Sequence, residues 1–174
     1  GGPARKTAVL LPRGRDTGEG PNAFHVNRTA AAARLEPHRV GPSWRLIVRS
    51  GSEEISLSRN ALLAMGQHTA RLPIACVEGW STTQTWSGVA LRDLADLVGA
   101  DPAAIAYVQS LEKHGTFNAA TLQTNQVRHH DSLLALKVNG ADLSLDHGFP
   151  ARIIVPALPG VHNTKWVHSI EFEV

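Results

Sequence analysis

Leu133-Leu134-Ala135-Leu136-Lys137-Val138 runs into Asn139-Gly140, and soon after comes Asp146-His147-Gly148-Phe149-Pro150-Ala151-Arg152-Ile153-Ile154-Val155. The first segment reads as a strand, and Asn-Gly at its end is a strong hairpin signal, because a tight turn of this type needs positive φ at both central residues. The second puts a Gly/Pro turn, with Arg152 just beyond it, before another apolar strand over Ala151–Val155. Two short apolar strands separated by turn chemistry make the carboxy-terminal half strand-rich.

Working outward, Lys165–Phe172 is expected to be a further strand, as is Trp44–Arg49, where Trp44, Leu46 and Val48 alternate with polar residues. Ile55–Leu57, Arg71–Val77 and Ile105–Leu111 read as strands as well. Ser58 is an N-cap for a short helix over Arg59–Met65. The strongest helix signal spans Val89–Val98, with Leu91, Leu94, Leu97 and Val98 on one face and Gly99 as its stop. Asp101-Pro102 then offers a cap and a first-turn proline for one more helical turn. The expected fold class is α+β, a mixed, strand-rich single domain over residues 22–174, preceded by an irregular lead-in over residues 1–21.

Composition removes many alternatives. The chain has 174 residues, 43% of them hydrophobic, enough to bury a core and too many for whole-chain disorder. Its apolar runs all fall short of the ~18–20 residues of a membrane span, so a soluble domain is expected. A single cysteine excludes an internal disulfide, a C-x-x-C redox pair, a cysteine-rich zinc site and a cysteine-ligated iron–sulfur cluster. Residues 1–50 hold nine Arg/Lys against three Asp/Glu, and residues 51–174 hold eight against twelve. The basic segment has no lysine cluster and no aromatic interleaving, so nucleic acid is not the expected partner. The chain opens on Gly1-Gly2-Pro3 rather than Met, which points to a fragment or a processed product.

The common catalytic signatures are absent: no G-x-G-x-x-G after a strand, no H-E-x-x-H, no G-x-S-x-G. Gly14–Gly20 lacks the Lys-Ser/Thr ending of a phosphate loop. His129-His130-Asp131 reads as a solvated turn, since neighbouring histidines point apart in regular structure. Asn27-Arg28-Thr29 fits a glycosylation triplet, a match common by chance. Cys76 closes an apolar strand and precedes Val77-Glu78-Gly79-Trp80-Ser81. It reads either as a small core residue or as a thiolate at a strand-to-loop junction, fit to be a nucleophile or a soft-metal ligand. Arg152, and Lys165 in the loop Pro156–Trp166, suit a phosphate-bearing ligand; surface salt bridges are the competing account.

Several motifs in register carry a resemblance. Cys76-Val77-Glu78-Gly79-Trp80-Ser81, then Trp86-Ser87-Gly88-Val89 with Leu91 and Leu94, then His147-Gly148-Phe149-Pro150 with Arg152, then Gly160 with Lys165-Trp166-Val167, together resemble the molybdopterin-binding domain of the sulfite oxidase fold. The similarity runs from about Asn22 to the end of the chain. Its form is most similar to the bacterial protein-methionine-sulfoxide reductase catalytic subunit branch and to actinobacterial membrane-anchored members.

The resemblance implies a molybdenum–molybdopterin cofactor, with Cys76 as the one protein thiolate on the metal. It implies cofactor contacts at Asn22, His25, Ser110, His147, Arg152, Asn163, Thr164 and Lys165. Sulfite oxidases usually carry an Arg shortly after the cysteine, where this chain has Glu78, Gly79 and Trp80. The implied reaction is therefore oxygen-atom or electron transfer at molybdenum, in the direction of S- or N-oxide reduction on a small molecule or a protein. Sulfite-oxidase-like oxidation and a cofactor-free binding domain of the same fold are the alternatives. The implied redox partner is a membrane haem protein, and the implied location is the extracytoplasmic face of a bacterial membrane.

Overall fold

A computed structural model describes residues 20–75, 81–113, 118–156 and 163–174. Two five-stranded sheets build the fold. In chain order the elements are β1 (Leu46–Ser50), β2 (Glu53–Leu57), α1 (Arg59–Ala64), β3 (His68–Ala75), β4 (Ser81–Ala90) and α2 (Leu91–Leu97). They continue with β5 (Ile105–Ser110), β6 (Ala119–Leu122), α3 (Thr124–Arg128), β7 (Leu133–Val138), β8 (Ala141–Asp142), β9 (Arg152–Ile154) and β10 (Val167–Glu173). One sheet has the order β2-β1-β10-β5-β6, and the other runs β3-β4-β7-β8 with β9 also paired to β7. Only β1–β10 is parallel among the described pairs. Among the described residues no helix is long and apolar enough to cross a membrane.

The near-continuous apolar run of β7 has a simple cause: both of its faces are covered. Leu134 and Leu136 join the main core between the sheets, with Leu46 and Val48 of β1, Val108 of β5 and Ile170 and Phe172 of β10. Leu133 and Ala135 face the other way into a smaller core with Phe24, Ala70, Trp86 and Ile154. Burial on both faces is what turns an alternating strand into an apolar one. Asn139 (φ 51°) and Gly140 (φ 83°) then make the tight turn into β8.

Ser58 caps α1 as expected, its side-chain oxygen accepting from the Ala61 N–H at 3.0 Å. The next helix departs from expectation. Val89 and Ala90 belong to β4, α2 starts only at Leu91, and Leu97 is 50% exposed. Apolar residues shared by a buried strand end and a helix start look like one helical stripe. Asp101-Pro102 opens a turn rather than a helical turn, with the Ala103 N–H on Asp101 Oδ1 at 2.8 Å. β4, β6 and α3 were not expected from the sequence.

β4 pairs antiparallel with β7 through a bulge between Ser87 and Gly88. A Cβ on Gly88 would run into the Leu134 carbonyl oxygen and come within 2.9 Å of Ala135 Cα. These are backbone atoms that cannot swing aside. Gly88→Ala is therefore expected to destabilise the chain by about 2–3 kcal/mol or more, read as a lower denaturation midpoint in urea.

Candidate cofactor site

The smaller core carries a polar cluster on its flank. Arg152 is the first residue of β9, and alternation places it with Ile154 toward that core rather than with Ile153. Its guanidinium lies 5.0 Å from the centre of the Trp86 ring. Phe24 meets Trp86 edge-on at 5.8 Å and stacks on His147 at 3.8 Å. An aromatic ladder thus positions one cation and one imidazole.

Arg152 is buried and has no carboxylate partner among the described residues. It donates to the main-chain oxygens of His147 (3.0 Å) and Asn163 (3.3 Å), while its Nε has no hydrogen-bond partner. Burial alone pulls its pKa down to about 9. Lys165 lies beside it, giving its ammonium to the carbonyls of Arg28 (2.5 Å) and Asp146 (2.7 Å). Burial first, and then the charge of Arg152, lower its pKa to about 7, against the opposing pull of Asp146 and Glu112. Gly148 makes this packing possible: it sits at φ 115°, and a Cβ there would come within 2.9 Å of Arg152 Cβ and 3.2 Å of Lys165 Cγ.

His147 donates its Nε2–H to the Asn22 carbonyl at 3.0 Å. Burial, aided by Arg152 and Lys165 and opposed by hydrogen bonds to the Asn22 and Phe24 backbone, holds its pKa at about 4, so the ring is neutral near pH 7. A proton consequence follows from this depression. Between pH 6.5 and 4 the unfolded chain takes up a proton that the folded chain refuses, so stability falls as pH falls through that window. At 1.36 kcal/mol per unit the loss reaches up to ~3 kcal/mol. Urea denaturation of the cofactor-free chain at pH 6.5 and 4 should show it, and His147→Gln should remove it.

The expected site residues largely converge. The Asn22 side chain bridges Asp142 O and the Ser144 N–H, tying the start of the domain to the segment that carries His147. Asn163 Oδ1 accepts the Val155 N–H, and the Thr164 carbonyl accepts the Ile153 N–H, so both buried residues brace β9. Ser110 Oγ donates to the Lys165 carbonyl at 2.7 Å, bringing the end of β5 to the same loop. His25 is half-buried, close in the chain to Asn22 and Phe24. Cys76 lies outside the described residues, which resume at Ser81, the partner of Ala75 at the close of the β3–β4 ladder. Trp80, His114, Gly160 and His162 lie outside them too.

Residues that the resemblance did not assign to the cofactor complete the cluster. Buried Glu112 pairs with Arg28 at 2.7 Å, and burial raises its pKa while Arg28 and Lys165 pull it down. Asp146 accepts the Ala30 N–H, and Phe24 and Trp86 supply the aromatic support. No local pattern announces a pair such as Arg28–Glu112, because sequence distance hides it. His129 and His130 also differ from expectation: their rings stack at 4.6 Å rather than diverge. They do lie in a turn, and His129 Nδ1 is engaged by the Asp131 N–H at 3.0 Å.

A family model, the oxidoreductase molybdopterin binding domain, matches residues 34–174. The chain belongs to this family. Among relatives of the domain, mouse mitochondrial sulfite oxidase is 29% identical, with 86% of this chain and 32% of the mouse protein aligned. The oxidoreductase YuiH of Bacillus subtilis is 32% identical over 67% of this chain and 58% of its own length. A putative protein-methionine-sulfoxide reductase subunit, YedZ1, of Azospira oryzae is 31% identical over 55% of this chain and 35% of its own. The chain thus spans from about a third to somewhat over half of these relatives. The sulfane dehydrogenase SoxCD of Paracoccus pantotrophus shares the fold, with a TM-score of 0.67 at 22% identity over 75% of this chain and 38% of that one.

The described residues fit the anionic end of a phosphate-bearing cofactor. Buried Arg152 and half-buried Lys165 share a glycine-floored cradle, the arginine with an unpartnered Nε, and neither has a carboxylate within salt-bridge distance among the described residues. A phosphate group is the natural counter-ion for such a pair.

Proposed function

We propose that this molybdopterin-binding domain is the catalytic part of an oxidoreductase that reduces a neutral S- or N-oxide, carried on a small molecule or a protein. The cofactor supplies the redox chemistry at molybdenum. Cys76 would give the metal its protein thiolate, a soft anionic sulfur suited to a metal in sulfur coordination. Arg152 and Lys165 would hold the phosphate, with Asn22, His25, Ser110, His147, Asn163 and Thr164 lining or bracing the pterin site. The observation that carries cofactor binding is buried Arg152 with half-buried Lys165 beside it, neither with a carboxylate at salt-bridge distance among the described residues.

Reduction of the oxide consumes two electrons and two protons, and its oxygen leaves as water. The electrons come from a redox partner, for which we take a membrane haem protein at the extracytoplasmic face of a bacterial membrane. Two features support an oxide over an anion: Glu78-Gly79-Trp80 follows Cys76 where an anion-binding arginine would serve sulfite, and one relative is named for methionine sulfoxide reduction. Sulfite oxidation remains the second reading, favoured by the mouse relative. A cofactor-free binding role fits poorly with the retention of Cys76, Arg152 and Lys165 together.

Protein from a host that makes the cofactor separates these readings. With a reduced dye as donor, sulfoxides or N-oxides should be turned over. With an oxidised dye as acceptor, sulfite should be oxidised far more slowly. Faster sulfite oxidation than oxide reduction would reverse the assignment.

A further inference from the structure

The cofactor cradle does not use the excess positive charge of residues 1–50 carried by Arg39 and Arg45. That charge gathers at a separate cleft. Arg39 comes from the 3-10 turn Pro37–Val40, Arg45 from the segment entering β1, and His168 from the second residue of β10. These three and His38 line a cavity of about 370 Å³ with Trp44 and Leu111. That volume lies at the small end of the ~300–1,000 Å³ typical of ligand sites.

The arginines are held in place without being neutralised. Arg45 Nη1 donates to the carbonyls of Trp44 (2.8 Å) and Pro42 (3.0 Å), and Arg39 Nη1 to that of Leu111 (3.4 Å). The nearby carboxylates are occupied elsewhere. Glu36 lies between His38 (3.4 Å) and Lys113 (3.5 Å), and Glu54 binds Arg49 at 2.6 Å. Glu171 stands opposite Arg49 in the β1–β10 register. Among the described residues no carboxylate pairs with Arg39, Arg45 or His168.

We propose that this cleft binds a small polyvalent oxyanion of the phosphate class, clasped by Arg39 and Arg45 with His168 as a further donor. Two guanidinium forks, half-buried Arg39 and exposed Arg45, suit the several acceptor oxygens of such an anion. Burial, with the charges of Arg39 and Arg49, lowers the His168 pKa. An anion that offsets those charges lets His168 take up a proton, so binding tightens as pH falls through its titration range. The cleft shares no residue with the Arg152–Lys165 cradle, and the proposal does not depend on the redox reaction.

The test uses cofactor-loaded protein, so that the cradle is filled. Inorganic phosphate and pyrophosphate are titrated at low ionic strength by calorimetry, while the His168 ring is followed by NMR against pH. One pyrophosphate should bind per chain, and at saturation the His168 pKa should rise by about one unit. Arg39→Gln/Arg45→Gln should weaken binding at least about tenfold, the scale of one lost charge-assisted contact. Arg45→Lys, which keeps the charge and loses the fork, should fall between, and exposed Arg71→Gln should bind as the parent does. Unchanged affinity in the double variant, or a His168 pKa that stays fixed at saturation, overturns the proposal. So does preferential binding of a hexaglutamate peptide, which would reassign the cleft to an acidic protein segment.

Discussion

Cys76→Ser is expected to lower turnover by about a thousandfold or more in protein from a cofactor-competent host, since the residue is the proposed thiolate of the metal. The hydroxyl is a harder and far less acidic ligand than the thiol, so it gives up the soft anionic donor that the metal prefers. The loss has a readout that does not depend on activity. X-ray absorption at the molybdenum edge should show one sulfur fewer around the metal in the variant. A variant with the sulfur count of the parent would remove Cys76 from the metal and return it to the role of a small core residue.

The second large effect is expected at Arg152. Arg152→Met keeps much of the side-chain volume against Trp86 and deletes the charge. Loss of a buried charge-assisted contact to phosphate would cost about 2–4 kcal/mol, so cofactor retention should fall roughly 30- to 1,000-fold. The same variant carries an internal check. Because the charge of Arg152 helps to hold the His147 pKa down to about 4, that pKa should rise in Arg152→Met. Pterin release measured by fluorescence and the His147 titration measured by NMR together separate a lost anion site from a lost fold. Retained cofactor with a risen His147 pKa would place the phosphate elsewhere.

How much of this was legible in the sequence depends on how local each signal is. The Asn139-Gly140 turn, the Ser58 cap and the apolar run of β7 depend on residues a few positions apart, and each formed as expected. β4 did not announce itself, because Ser81-Thr82-Thr83-Gln84-Thr85-Trp86-Ser87-Gly88 has little apolar alternation. It is a strand because β3 and β7 pair with its two edges, and pairing across a sheet leaves no mark on a single segment. The boundary at Leu91 was hidden for a related reason: Val89, Ala90, Leu91 and Leu94 are all buried, two in a strand and two in a helix.

The candidate site residues came as a set from the resemblance and not from any local pattern. Hydrogen bonds link Asn22, His147, Arg152 and Asn163, join Ser110 to Lys165 and tie Thr164 to Ile153, and all seven of Asn22, Ser110, His147, Arg152, Asn163, Thr164 and Lys165 were implied by the family resemblance. Arg28 and Glu112 were not, since a buried ion pair between distant segments is a product of packing and has no spacing rule. The stacking of Phe24 on His147 and of Arg152 on Trp86 joins segments far apart in the chain, so it too leaves no local mark.

The central claim is that this chain holds molybdopterin through Cys76 and the Arg152–Lys165 cradle. The most direct measurement is the molybdenum and pterin content of protein purified from a host that makes the cofactor. About one of each per chain is the predicted result, and protein lacking both from such a host would contradict it.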